Sequence, residues 1–267
     1  MTTRKPAVAG RFYPAGSGAL RQAIADTVVD VPQKIKALGI VSPHAGYSCS
    51  GPVAGILYSR IEIPPTAVIL GPNHNDIGEP YAIMSKGYWA TPLGKVAIDS
   101  VLAEEIKNND KLITEDTLAH QYEHSLEVQI PFLQYFRPDI KIVPIAIGSD
   151  QFEVVGKAIA AGIKKTKTET DCLIVASSDM THYEPQEQAV KKDQLALEAV
   201  LALDEKEMIS RIVQYDISMC GYGPVAIMLI AAKLLGAKKA ELVKYMTSGD
   251  TVGDYSAVVG YAGLAVF

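Results

Sequence analysis

The chain has 267 residues, 48% of them hydrophobic and 21% charged, an ordinary globular composition. A net charge of -5 provides no basic face for a phosphate backbone, which excludes nucleic acid as the main partner. Three cysteines at long spacings, Cys49, Cys172 and Cys220, make no disulfide framework and fit a reducing cytoplasm.

The N-terminal stretch has a charged start but no apolar run of signal-peptide length. Residues 20–29 place Leu20, Ile24 and Val28 on one helical face. Short apolar runs follow at 38–42, 67–70, 142–147 and 173–176, each ending in polar or Gly-rich sequence. Runs of this kind suit strands buried on both faces. Helical segments are expected at 53–58, 101–108, 125–136, 152–164 and 188–203. Residues 88–91 and 95–98 read as a hairpin. An apolar helix at 225–235 opens on Gly223-Pro224 and closes at Gly236. It is too short to span a bilayer, so no membrane partner is expected. Strands at 240–246 and 257–267 close the sheet. This alternation predicts one α/β domain over residues 1–267, a single-domain αβα sandwich with a central mixed, largely parallel sheet.

In such sheets ligands bind beyond the carboxyl ends of the strands. His44 follows the first apolar run, His74 the second, and Asp179, His182 and Tyr183 the run at 173–176. The ordinary alternative is a set of turn histidines with satisfied rings. Three of five histidines at one topological position favour a shared pocket. Cys220 precedes the apolar helix, where the positive helix end favours a thiolate, either as a metal ligand or as a reactive thiol. Cys172 starts a core strand, and Cys49 lies in a small-residue turn. His120-Gln121-Tyr122-Glu123-His124 reads as H-x-x-E-H, a zinc-hydrolase pattern that works only on a helix. Here the helical spacing begins after it, at Leu126.

Six ordered segments resemble the Memo family. They are residues 8–14 (VAGRFYP), Pro43-His44-Ala45-Gly46-Tyr47, Gly71-Pro72-Asn73-His74, residues 123–129 (EHSLEVQ), Ser178-Asp179 with His182, and Cys220-Gly221. The resemblance spans nearly the whole chain and implies a fold like that of the class III extradiol ring-cleaving dioxygenases. It implies a divalent metal, iron(II) favoured with copper or zinc as alternatives, held by His44, His74 and Cys220. His182 takes the acid/base position, with Asp179 beside it orienting an imidazole. Cys220 stands where those enzymes place a carboxylate, and a thiolate shifts metal preference toward softer ions. Tyr47, Asn73, Glu123, His124 and Tyr183 are expected to line the substrate cleft, with Tyr122 as a further aromatic candidate. Three functions follow: a metal-dependent redox enzyme on a small substrate, an adaptor binding a peptide in the same cleft, and a zinc hydrolase through H-x-x-E-H. The resemblance also implies partnership with a radical-SAM protein in a three-component system.

Overall fold

A computed structural model describes residues 2–169 and 171–267. In chain order the strands are β1 (Thr3–Arg4), β2 (Gly39–Ser42), β3 (Thr66–Pro72), β4 (Tyr81–Ile83), β5 (Tyr88–Thr91) and β6 (Gly94–Ile98). Then come β7 (Thr114–Glu115), β8 (Lys141–Ile147), β9 (Cys172–Ser177), β10 (His182–Glu184), β11 (Ala240–Thr247) and β12 (Val258–Val266). The helices are α1 (Ser17–Ala25), α2 (Tyr47–Arg60), α3 (Ser100–Asn109), α4 (Ile130–Phe136) and α5 (Phe152–Thr166). They continue with α6 (Gln186–Leu201), α7 (Glu205–Gln214), α8 (Tyr222–Leu234) and α9 (Gly249–Val252).

The strands form one mixed sheet. Its centre is parallel, in the order β6-β8-β3-β9-β2, and β12 joins β2 antiparallel. The central strands are buried on both faces, as their unbroken Val/Ile/Leu runs require. Helices cover each side. A Cβ at Gly39 would run into Met228 of α8, so this face packs on α8. Gly39 pairs with Val266, and Gly263, three residues back along β12, points to the opposite face. There a Cβ would meet Leu57 and Val53 of α2. α8 also packs on α5, and α5 on α3. Val225 to Ala232 of α8 are all buried, which accounts for the unbroken apolar run there. No helix among the described residues is long and apolar enough to cross a membrane.

Two expected elements differ from those observed. α2 begins at Tyr47, six residues before the expected start, and carries Pro52 inside it. Its glycines serve packing, since a Cβ at Gly55 would collide with Thr27. Cys49 therefore lies in the first turn of a helix and not in a turn. The expected helix at 125–136 is a 3-10 turn at Glu127–Gln129 leading into α4. Helix α7 was not anticipated, although Asp204 caps it by accepting from Glu207 N, an ordinary helix-start pattern.

A histidine-lined candidate metal centre

The ends of β3, β9 and β2 lie side by side, because these strands are adjacent and parallel. The loops that leave them carry His74, Asp179 and His44. The loop before the 3-10 turn brings in His124, and the segment before α8 brings in Cys220. The donor atoms of His44, His74 and His124 lie within 4.8 Å of one another. Cys220 Sγ stands 3.1 Å from His44 Nε2. These side chains line a cavity of about 520 Å³, walled further by Phe12, His182, Tyr183 and Tyr261.

Hydrogen bonds fix which ring nitrogen each histidine presents. Ser177 Oγ donates to Ser125 O at 2.6 Å, so its proton is spent. His44 Nδ1, 3.0 Å from that oxygen, is then the donor, and Nε2 carries the lone pair. His74 Nδ1 donates to Glu123 Oε1 at 2.9 Å. His182 Nδ1 donates to Ser218 O at 2.9 Å. In its neutral form each of these rings then carries its lone pair on Nε2, the tautomer a metal ion takes and a base needs. Burial, then the neighbouring His124 and His74, pushes His44 well below the usual histidine range. Burial also lowers His124.

The two carboxylates do different work. Glu123 is fully buried behind His74 and His124. It accepts from His74 N at 2.6 Å and Ser125 N at 2.8 Å as well as from the His74 ring, and it faces His124 Nδ1 at 3.4 Å. Burial pushes it up, yet His74, the Ser125 N–H and His124 together outweigh this and hold it at about 2. Asp179 accepts from His44 N at 2.7 Å. Burial raises its carboxyl to about 6 against that bond.

A second layer sets the loops. Arg4 pairs with Glu127 and donates to His120 O at 2.9 Å and Glu123 O at 2.6 Å. Glu127 also accepts from Tyr13 OH and from the backbone of Ala7 and Val8. Gln129 Nε2 donates to Pro43 O at 2.9 Å and Ser177 Oγ at 2.8 Å. The segment at 123–129 is therefore one device: Glu123 and His124 build the pocket, while Ser125, Glu127 and Gln129 fasten it.

Several expectations are corrected. Glu123 stands behind the pocket as a holder of rings and does not line the cleft. Asn73 shapes its own loop, donating to Ile77 O at 2.9 Å. Tyr47 is core: its hydroxyl donates to Val128 O at 2.6 Å and its ring packs on Phe132. Tyr122 is 58% exposed and lies outside the cavity. Asp179 holds the backbone of His44, and the group that orients that ring is Ser177. The Cys220 thiol is pushed up by burial and by the nearby Asp179 charge, so the helix end does not make it a thiolate. His120 and His124 share no helix. His120 is buried against Trp89, its Nε2 donating to Ala82 O at 3.1 Å. The H-x-x-E-H hydrolase reading fails on that geometry. His124 and Tyr183 do line the cavity. Tyr183 sits at a β-bulge, where His182 pairs with Val259 and Glu184 with Val258, in left-handed backbone at φ 59.

Sequence reasoning missed Phe12, whose ring lies 4.8 Å from that of His124, and Ser177, Ser218 and Tyr261. Phe12 lies in one of the motif segments, which was the available signal. Ser177 directly follows the apolar run at 173–176, the same strand-end signal that marked Asp179; Ser218 and Tyr261 carried none.

Fold and site together define an α/β protein with a histidine-rich, metal-capable pocket at the carboxyl edge of its sheet. Residues 4–265 match the Memo-like protein family, and the chain belongs to it. It is 44% identical to a MEMO1 family protein of Methanopyrus kandleri over 98% of both chains. It is 45% identical to one of Aquifex aeolicus over 99% of both, and 45% identical to one of Methanococcoides burtonii over 98% and 99%. The fold is similar to that of an uncharacterized protein from Escherichia coli K12, with a TM-score of 0.57 at 15% identity, covering 85% of this chain and 98% of that one.

Proposed function

We propose that the pocket holds one divalent metal ion, iron(II) in the first place with copper or zinc as alternatives, and that the protein is a metal-dependent redox enzyme acting on a small oxidisable substrate. The observation that carries the reading is the convergence of His44, His74 and His124 within 4.8 Å, with Cys220 against His44. Donors about 2.0–2.3 Å from one centre span at most about 4.6 Å, so the three histidines are a side-chain adjustment away from sharing one ion. Imidazoles with a thiol suit iron, copper or zinc over calcium or magnesium. We assign His44, His74 and His124 as imidazole donors and Cys220 as the sulfur donor, losing its proton on binding.

The ion would supply a Lewis-acidic, redox-active centre. His182 lines the same cavity with a free Nε2, suited to accept a proton from a bound hydroxyl and return it. Phe12 and Tyr261 wall the cavity beside it. Tyr183, 78% exposed at the rim, offers a face to a small molecule or to a peptide in an adaptor role. Partnership with a radical-SAM protein is a proposal drawn from the family resemblance alone.

The test is anaerobic reconstitution of chelator-stripped protein with iron(II), copper(II) or zinc, with binding stoichiometry and sulfur ligation read by X-ray absorption. Oxygen uptake is then followed with a panel of catechols and other oxidisable substrates. One bound ion, lost in His74→Ala, is expected. No bound ion would end the reading.

A further inference from the structure

We propose that Tyr261 is a ligand-binding residue of the histidine pocket, and that its hydroxyl and the His182 ring hold one hydroxyl group of the bound molecule between them. The pairing rests on the reading of His182 as a proton acceptor given above. Tyr261 is 2% exposed and lines the histidine cavity. The other buried tyrosines each spend the hydroxyl on the protein. Tyr13 donates to Glu127, Tyr47 to Val128 O and Tyr58 to Gln129 Oε1, while Tyr81 accepts from Gln151 N. The Tyr261 hydroxyl has no hydrogen-bond partner among the described residues. It is not sealed in protein as the unpartnered Trp89 Nε1 is, so it opens on the cavity that its residue lines. A buried tyrosine hydroxyl ordinarily finds a partner, and one that opens on a cavity is free to take it from a ligand.

The strand register puts this hydroxyl beside His182. His182 pairs with Val259 across β10 and β12, so the two side chains share a face, and Tyr261 follows two residues on along that face. The opposite face is filled there, since a Cβ at Gly260 would run into Asp193 of α6. His182, Val259 and Tyr261 accordingly all line the cavity. Side chains at such diagonal positions start about 7–8 Å apart, which leaves room for one oxygen atom between their polar ends. The two ends are complementary. Burial and the nearby Asp179 charge push the Tyr261 hydroxyl up, so it keeps its proton and donates. His182, with Nδ1 committed to Ser218 O, accepts at Nε2. An alcohol or phenol oxygen accepts from the first and donates to the second. An ether only accepts and an ammonium only donates, so each leaves one of the pair unmet. The ligand class is therefore a molecule that carries a free hydroxyl as well as a metal-binding group.

The full chain loaded with zinc, which is redox-inert, is titrated with 4-nitrophenol and 4-nitrocatechol, probes that differ by one hydroxyl, and followed by absorbance. Tyr261→Phe is expected to weaken 4-nitrocatechol about fivefold, the loss of one hydrogen bond, and to leave 4-nitrophenol unchanged. Unchanged affinity for both probes, an equal loss for both, or no binding of 4-nitrocatechol by the loaded wild type overturns the proposal. Urea unfolding of the metal-free proteins separates a ligand role from a folding role. Tyr261→Phe should keep or raise the unfolding midpoint, whereas Tyr58→Phe should lower it, because the Tyr58 hydroxyl is bonded to Gln129 at 2.9 Å. A midpoint lowered as far in Tyr261→Phe as in Tyr58→Phe shows a protein partner for the hydroxyl and overturns the proposal. Should zinc fail to load, the metal reading falls by itself, and crystals of the metal-free protein soaked in 4-nitrocatechol decide the pairing. A probe oxygen about 2.5–3.0 Å from Tyr261 Oη supports it. Any other pose, or no bound probe, overturns it.

Discussion

Glu123→Gln is the most informative perturbation of the pocket. The buried carboxylate accepts from His74 N, His74 Nδ1, Ser125 N and Asn75 Nδ2, the last at 3.3 Å. Its carboxyl is held at about 2 instead of 4.5. That depression is worth about 3 kcal/mol of folding stability at neutral pH. A folded-state pKa below the unfolded one gives stability that is complete above the unfolded value and lost as pH falls through the folded one. Glutamine keeps the shape but offers one acceptor and turns an NH₂ group toward donors. Urea unfolding of the metal-free proteins should show the variant about 3 kcal/mol weaker at pH 7, with the gap about halved at pH 3. Metal affinity in a competitive titration should fall about 10–100-fold, because the His74 ring loses the partner that fixes its tautomer. Equal stabilities at pH 7, or an unchanged affinity in a destabilised variant, would refute the assignment of Glu123 as the holder of these rings.

Three further outcomes are expected. Arg4→Met strands the buried Glu127 charge and frees the carbonyls of His120 and Glu123, costing about 3–5 kcal/mol in thermal or urea unfolding. A loss under 1 kcal/mol would show that the N-terminal segment does not fasten the loop. His120→Phe should leave metal stoichiometry unchanged, since the ring packs on Trp89 and donates to Ala82 O, far from the role the H-x-x-E-H pattern suggests. Loss of metal in that variant with the fold intact would revive the hydrolase reading. Asp179→Asn should stabilise the metal-free protein at pH 7, by at most about 3 kcal/mol, because burial raises the carboxyl from 3.8 to about 6. A raised folded-state pKa makes the penalty appear as pH rises through 6 and vanish below 4. Wild type and variant running parallel from pH 4 to 8 would count against it.

The sheet was legible in the sequence because its signal is physical and local. Strands buried on both faces must be apolar throughout, and residues 67–70, 142–147 and 173–176 are. The residues just past these runs, and past the run at 38–42, could then be assigned to one edge, which is how His44 and His74 were found. What stayed hidden depends on contacts distant in sequence. Nothing local shows that Gly55 must admit Thr27, so the glycine-rich start of α2 reads as a turn. Nothing local shows that Ser125 and Glu127 spend their side chains on Pro72 O and Arg4, which draws the backbone at 127–129 into a 3-10 turn. Glu123 and Tyr47 were both expected in the cleft because polar and aromatic residues near a strand edge are open to that role. Burial behind His74 decided the first, and the Val128 carbonyl decided the second.

His124 shows how the pocket is made. No strand of the parallel core delivers it, so its placement depends on the loop at 116–126 being held from behind. Arg4 holds two carbonyls of that loop, Glu127 holds Arg4, and the Glu127 carboxylate also grips the backbone of Ala7 and Val8. Phe12 from the same N-terminal segment lies against the His124 ring. The buried ion pair therefore costs desolvation in order to fix one loop in one geometry, a use in which the gain is positional and not a surplus of stability. His44 and His74, by contrast, stand directly on adjacent strand ends and need only Ser177 and Glu123 to set their rings. Weakening the Arg4–Glu127 pair should accordingly loosen His124 first and leave the two strand-end histidines in register. In Arg4→Met that separates a metal bound by fewer imidazoles from a metal lost altogether, and X-ray absorption of the loaded variant distinguishes the two.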